Sequence, residues 1–73
     1  MKVPVKYGER NYLTKKELEI LTLINLEKSR KEIAELLTIT IGTLMNYMKN
    51  IRYILNAHND FQIIIEAKKR NLI

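Results

Sequence analysis

The chain has no cysteine, one proline, two glycines and one histidine in 73 residues. Without cysteine, neither a disulfide nor a thiolate metal site can reinforce the core, and a reducing compartment is permitted. His58 stands alone in the segment before the last helical pattern, so there is no second imidazole or thiol to join it in metal binding or catalysis. Long apolar runs are missing too. Residues 39–44 are interrupted by threonine and glycine, and residues 63–65 are a run of three, far below the ~18 that a membrane span needs. The opening MKVPVKYGER lacks the apolar stretch of a signal peptide. These absences point to a soluble, cytoplasmic protein that is not an enzyme and has no metal, no cofactor and no membrane partner.

What is present is charge, and it is unevenly placed. The net charge is +5, which favours a polyanionic partner without naming one. Residues 1–31 hold eight Lys or Arg against four Glu, residues 32–48 hold none against two, and residues 49–73 hold five against two. Positive charge therefore brackets the middle of the chain. A chain this short forms one domain whose core supplies no more than ~3–5 kcal/mol, so self-association is the expected supplement.

Four capping signals divide the chain. Thr14-Lys-Lys-Glu17 and Ser29-Arg-Lys-Glu32 have the spacing of capping boxes, Asn59-Asp-Phe-Gln62 is a third with Asn as cap, and Thr40 before Ile41 is a plainer fourth. Helices are predicted at 15–26, 30–37, 41–55 and 60–70, joined by short loops. In residues 1–12, which hold the only proline, Val3, Val5 and Tyr7 alternate, the pattern of an extended arm. The expected architecture is all-α: a four-helix domain over 13–73 preceded by an N-terminal arm over 1–12.

Apolar spacing assigns the faces. Leu44, Met48, Ile51 and Leu55 follow at steps of four, three and four, one stripe of the third helix, expected to meet Ile33, Ala34 and Leu37 of the second helix and Ile20, Leu21 and Ile24 of the first. Opposite that stripe, at 100° per residue, lie Gly42, Asn46, Lys49 and Tyr53, with Met45 and Arg52 on the flanks. This face is polar and free of acid. Only Thr38, Ile39 and Thr40 separate the second and third helices. Two helices joined by so short a turn form a helix-turn-helix, whose second helix enters the DNA major groove.

The residues also resemble a family. From Leu13 to Ile73 the chain is similar to the LuxR/GerE-type DNA-binding domain of bacterial regulators. The resemblance rests on Leu13-Thr14-x-x-Glu17, Ile20-Leu21-x-Leu23-Ile24, Lys31-Glu32-Ile33-Ala34-x-x-Leu37, Ile39-Thr40-x-x-Thr43-Leu44, Ile51, Leu55, Ala67 and Leu72, with no gap. Where the family usually has His, Lys, Arg and Gly, this chain has Tyr47, Ile54, Asp60 and Asn71. Glu27 stands where a glycine usually ends the first helix, and Met45 where a basic residue is common. The resemblance implies a transcriptional regulator of bacterial or phage origin that pairs through its last helix.

Recognition of DNA needs two kinds of contact. For the phosphates the candidates are Arg30 and Lys31, in the first turn of the second helix where the peptide dipole attracts an anion, and the hydroxyls of Thr40 and Thr43 beside the next helix start. Asn50, Arg52 and Tyr53, later in the third helix, are expected to reach backbone as well. For the bases, Asn46 can pair with adenine, Lys49 can donate to guanine, and Met45 can pack on a thymine methyl. Gly42 either lets the duplex approach closely or is an ordinary residue of a first helical turn. The plainer reading of Lys49 and Arg52 is a solvated surface, and that of Met48 is packing.

The last helix carries the partner signal. With Ile63, Ile64 and Ala67 turned to the bundle, Phe61, Ile65, Lys68 and Leu72 fall on the other side, and a helix apolar on both sides is buried on both. A two-fold homodimer through Phe61, Ile65, Lys68 and Leu72 is expected, unless Val3 and Val5 of the arm cover the patch. No segment is long enough for a receiver or inducer-binding domain, so control is expected through the protein's own amount or through a partner. The alternative function is an interaction module that pairs with another regulator or with RNA polymerase and does not itself bind DNA.

Overall fold

A computed structural model describes residues 12–73. It contains four helices: α1 (Lys15–Asn25), α2 (Arg30–Leu37), α3 (Ile41–Leu55) and α4 (Asp60–Lys69). Every boundary lies within one residue of the sequence expectation. The described residues are all-α. The arm expected over 1–12 lies, apart from Tyr12, outside them.

The agreement has a local cause, because each helix starts on a side chain that accepts an otherwise orphaned amide. Thr14 Oγ1 takes the N–H of Glu17 at 3.2 Å while Glu17 Oε1 takes the N–H of Thr14 at 3.0 Å. Ser29 and Glu32 repeat this at 3.1 and 2.9 Å. Such caps contribute about 0.5–2 kcal/mol each. Glu17 is fully buried, which a carboxylate tolerates because the cap satisfies it. At α4 the reciprocal bond differs from expectation. Asn59 Oδ1 accepts the Gln62 N–H at 2.9 Å, but Gln62 Oε1 takes the N–H of His58 at 2.7 Å, not that of Asn59. The backbone differs with it: all three caps are extended, but φ is −153° at Asn59 against −76° at Thr14 and −73° at Ser29.

All four helices end alike. A residue in the left-handed region follows each, Glu27 (φ 63°), Thr38 (φ 57°), Asn56 (φ 54°) and Asn71 (φ 57°), and none of them is glycine. The next amide then reaches back five residues: Lys28 N–H to Leu23 C=O at 3.1 Å, Ile39 to Ala34 at 2.9 Å, Ala57 to Arg52 at 2.8 Å and Leu72 to Ala67 at 2.8 Å. This is the Schellman arrangement. Asparagine accommodates it by virtue of a short polar side chain; β-branched Thr38 does so under strain.

The core is built as the spacing implied. Ile20, Leu21, Ile33, Ala34, Leu44, Met48, Ile51 and Leu55 are buried, together with Ile63 and Ala67 of α4 and Ala57 before it. Ile24 and Leu37, expected in the core, are half-buried and pack on its edge. α1 packs on α4, α2 on α3, and α3 on α4, with α1 also touching α2 and α3. The short α2–α3 connection follows directly: Thr38 turns the chain, Ile39 tucks against the core and Thr40 caps α3.

Candidate nucleic-acid interface

With Leu44, Met48, Ile51 and Leu55 fixed inward, the opposite side of α3 is necessarily outward. Gly42, Asn46, Lys49 and Tyr53 are all exposed. α3 carries no carboxylate along its 15 residues, so the outward face keeps an unopposed positive charge. Among the described residues, Lys31, Lys49 and Arg52 join no ion pair. Met45, Asn50 and Arg52 are half-buried at the flanks. Met45 rests on the core and leaves its remaining surface open.

The N-terminus of α3 is built from hydroxyls. Thr40 Oγ1 accepts the Thr43 N–H at 3.1 Å and donates to Thr43 Oγ1 at 3.0 Å. The Thr43 hydroxyl, having accepted from Thr40, keeps its own proton for an external acceptor. Both threonines are exposed. At the start of α2, Lys31 is exposed, but Arg30 is already engaged: its Nη2 lies 3.4 Å from Asp60 Oδ2 at the start of α4. The pair is about half-exposed and contributes no more than ~1 kcal/mol. It places a carboxylate beside a residue expected to meet phosphate. Residues thirty positions apart gave no local signal of this.

The sequence that builds these helices is similar to that of known proteins. The family described as "Bacterial regulatory proteins, luxR family" (GerE) matches residues 11–67. The chain belongs to the LuxR family. It is similar to the transcriptional regulatory protein DesR of Bacillus subtilis, at 39% identity over 64 residues, which are 88% of this chain and 32% of DesR. It is also similar to the transcriptional regulatory protein LiaR of the same organism, at 43% over 61 residues, 84% of this chain and 29% of LiaR. A third relative is the uncharacterized response regulatory protein YgeK of Escherichia coli, at 36% over 66 residues, 90% of this chain and 45% of YgeK. The LuxR-family chain thus spans less than half the length of each of these relatives.

In this LuxR-family domain, α4 keeps an open apolar side. Ile63 and Ala67 of α4 are buried, Ile64 is half-buried, and Phe61 (75% exposed) and Ile65 (37% exposed) face solvent with Lys68. Leu72 departs from this grouping. α4 ends at Lys69, and Asn71 turns the chain back in the left-handed region, so helical periodicity no longer sets the direction of Leu72. The side chain packs on the core in a cleft of about 300 Å³ shared with Leu13, Leu18 and Leu55. Sequence reading missed one exposed residue on α3. Ile41, its first residue, is 46% exposed, and nothing in the apolar spacing singled it out. Among the described residues no helix is long and apolar enough to cross a membrane.

Proposed function

We propose that this LuxR-family domain regulates transcription by binding duplex DNA in a sequence-specific manner, with α3 in the major groove. The observation that carries the reading is the outward, acid-free face of α3, on which Asn46 and Lys49 are exposed beside Gly42. Asn46 and Lys49 read base edges, with Met45 packing against them. Lys31, Thr40, Thr43, Asn50, Arg52 and Tyr53 fix the phosphates, and Arg30 joins them once its pairing with Asp60 yields to the duplex. Gly42 admits the sugar-phosphate backbone or a base edge close to the helix. The names of DesR and LiaR, both transcriptional regulatory proteins, support the same function.

Phe61, Ile65 and Lys68 form the face through which two copies associate. A two-fold pair of recognition helices then meets half-sites about one helical turn (~34 Å) apart. A selection from random duplexes tests both parts together. An enriched, dyad-symmetric motif with that spacing is the expected outcome; a motif without symmetry removes the dimer, and no enrichment removes the DNA reading.

The exposed Phe61–Ile65 side also favours a second reading, in which α4 pairs with another regulator or with RNA polymerase and DNA is not bound. That reading predicts no enrichment, together with partner binding that Lys49→Ala leaves intact.

A further inference from the structure

Ile41 lies outside the hydrophobic core. It is the first residue of α3 and 46% exposed, and it is not among the residues that pack against the core. The apolar contact that fixes the entry of a helix joins the residue before the cap to the fourth helical residue. Here those positions are Ile39 and Leu44, both of which pack, so the staple does not need Ile41. Helix propensity gives no reason either, because β-branched isoleucine is a weaker helix former than Lys, Arg, Gln or Glu.

Its place on the helix is informative. Counting 100° per residue from the outward line of Gly42, Asn46, Lys49 and Tyr53, the two flanks differ. Thr43 and Asn50 lie on one side. Ile41 and Met45 lie on the other, one turn apart, followed by Arg52. Met45 thus edges the outward face at about 70° from that line, while Ile41, at about 110°, borders the buried stripe beside Met48 and reaches solvent as the first residue of the helix, the end whose residues meet base edges in a helix-turn-helix. In the major groove the only apolar group offered by any base pair is the C5 methyl of thymine. Two side chains four residues apart, about 6 Å along a helix, span one to two base steps of ~3.4 Å.

We propose that Ile41, together with Met45, reads thymine methyl groups, so that the bound sequence carries thymines on one strand beside the bases met by Asn46 and Lys49. This rests on the reading of α3 as the helix that enters the major groove. Ile41 is the specificity residue at the outer position and Met45 at the inner one.

The test replaces thymine by deoxyuridine, one position at a time, in the best duplex from the selection, and measures affinity by fluorescence anisotropy. Deoxyuridine keeps every hydrogen-bonding group and lacks the methyl. Loss of one methyl contact is expected to weaken binding about fourfold at one or two neighbouring positions. Ile41→Ala, with folding checked by circular dichroism, is expected to abolish the penalty at the outer position and leave the inner one. Intact binding with no deoxyuridine effect at any position overturns the inference while leaving DNA recognition standing, and points to a protein contact for Ile41 and Met45. An unchanged penalty in Ile41→Ala overturns the assignment of Ile41. Absence of duplex binding removes the inference together with the reading beneath it. The deoxyuridine series uses the unaltered protein, so it decides even if the variant misfolds.

Discussion

Gly42→Ala adds one methyl group to the second residue of α3, on the side turned to solvent. The new Cβ would meet only Thr40 Oγ1, at 3.8 Å, which is ordinary van der Waals contact. The backbone there is not in the left-handed region, so alanine fits without strain. Exchanging glycine for alanine in a helix is worth up to ~1 kcal/mol, and the position in the first turn argues for about half of that. For a domain of this size that raises Tm by about 2–4 °C. The same methyl stands where the duplex approaches in the proposed complex. Forcing a methyl into a packed contact costs about 1–3 kcal/mol, so affinity falls at least about fivefold while the free protein becomes more stable. Thermal unfolding by circular dichroism and anisotropy with the selected duplex measure the two effects separately. A lowered Tm refutes the structural reasoning, and a raised Tm with unchanged affinity refutes the close approach at Gly42.

Three further substitutions have defined outcomes. Thr38→Gly places a residue free of Cβ strain at φ 57°; the relief of about 1–2 kcal/mol, less the greater freedom glycine has in the unfolded chain, leaves a gain of roughly 0.5–1 kcal/mol, visible as a higher urea midpoint. Asp60→Asn removes the carboxylate 3.4 Å from Arg30, and the freed guanidinium tightens DNA binding and steepens the slope of log K against log salt by about 0.9 per protomer. The backbone N–H of Ser29, then its hydroxyl and the charge of Lys28, hold the Glu32 carboxyl below its ordinary value of 4.5. A lowered folded-state pKa contributes stability above the unfolded value that is lost as pH falls through the folded one. Tm should therefore decline below about pH 4.5, and Glu32→Gln, which keeps an acceptor without the charge, should flatten that decline by lowering Tm at pH 7 toward its acid value.

The helix starts and the core stripe were legible because their determinants are local. Thr14, Ser29, Thr40 and Asn59 act on amides three residues away, and Leu44, Met48, Ile51 and Leu55 share a side of one rod. The helix ends were less so. Their left-handed residues are Glu27, Thr38, Asn56 and Asn71 in place of the glycine that would have announced them. Leu72 differs for this reason: helical periodicity stops with α4 at Lys69, and the left-handed Asn71 turns the chain so that Leu72 packs on the core. The Arg30–Asp60 pair joins the starts of α2 and α4, which only packing brings together. Ile41 was passed over because nothing in the apolar spacing singled it out, and only its exposure does.

Affinity across a salt series, with the unaltered protein beside Lys49→Ala, is the sharpest check on whether α3 offers its outward flank to duplex DNA. The expected result is binding that weakens steeply and linearly on a log–log scale as salt rises, with Lys49→Ala lowering affinity for the selected duplex by about fivefold or more, as loss of a base contact of ~1–3 kcal/mol requires. A chain that binds no duplex at low salt, or binds one with Lys49→Ala indistinguishable at every salt concentration, contradicts it.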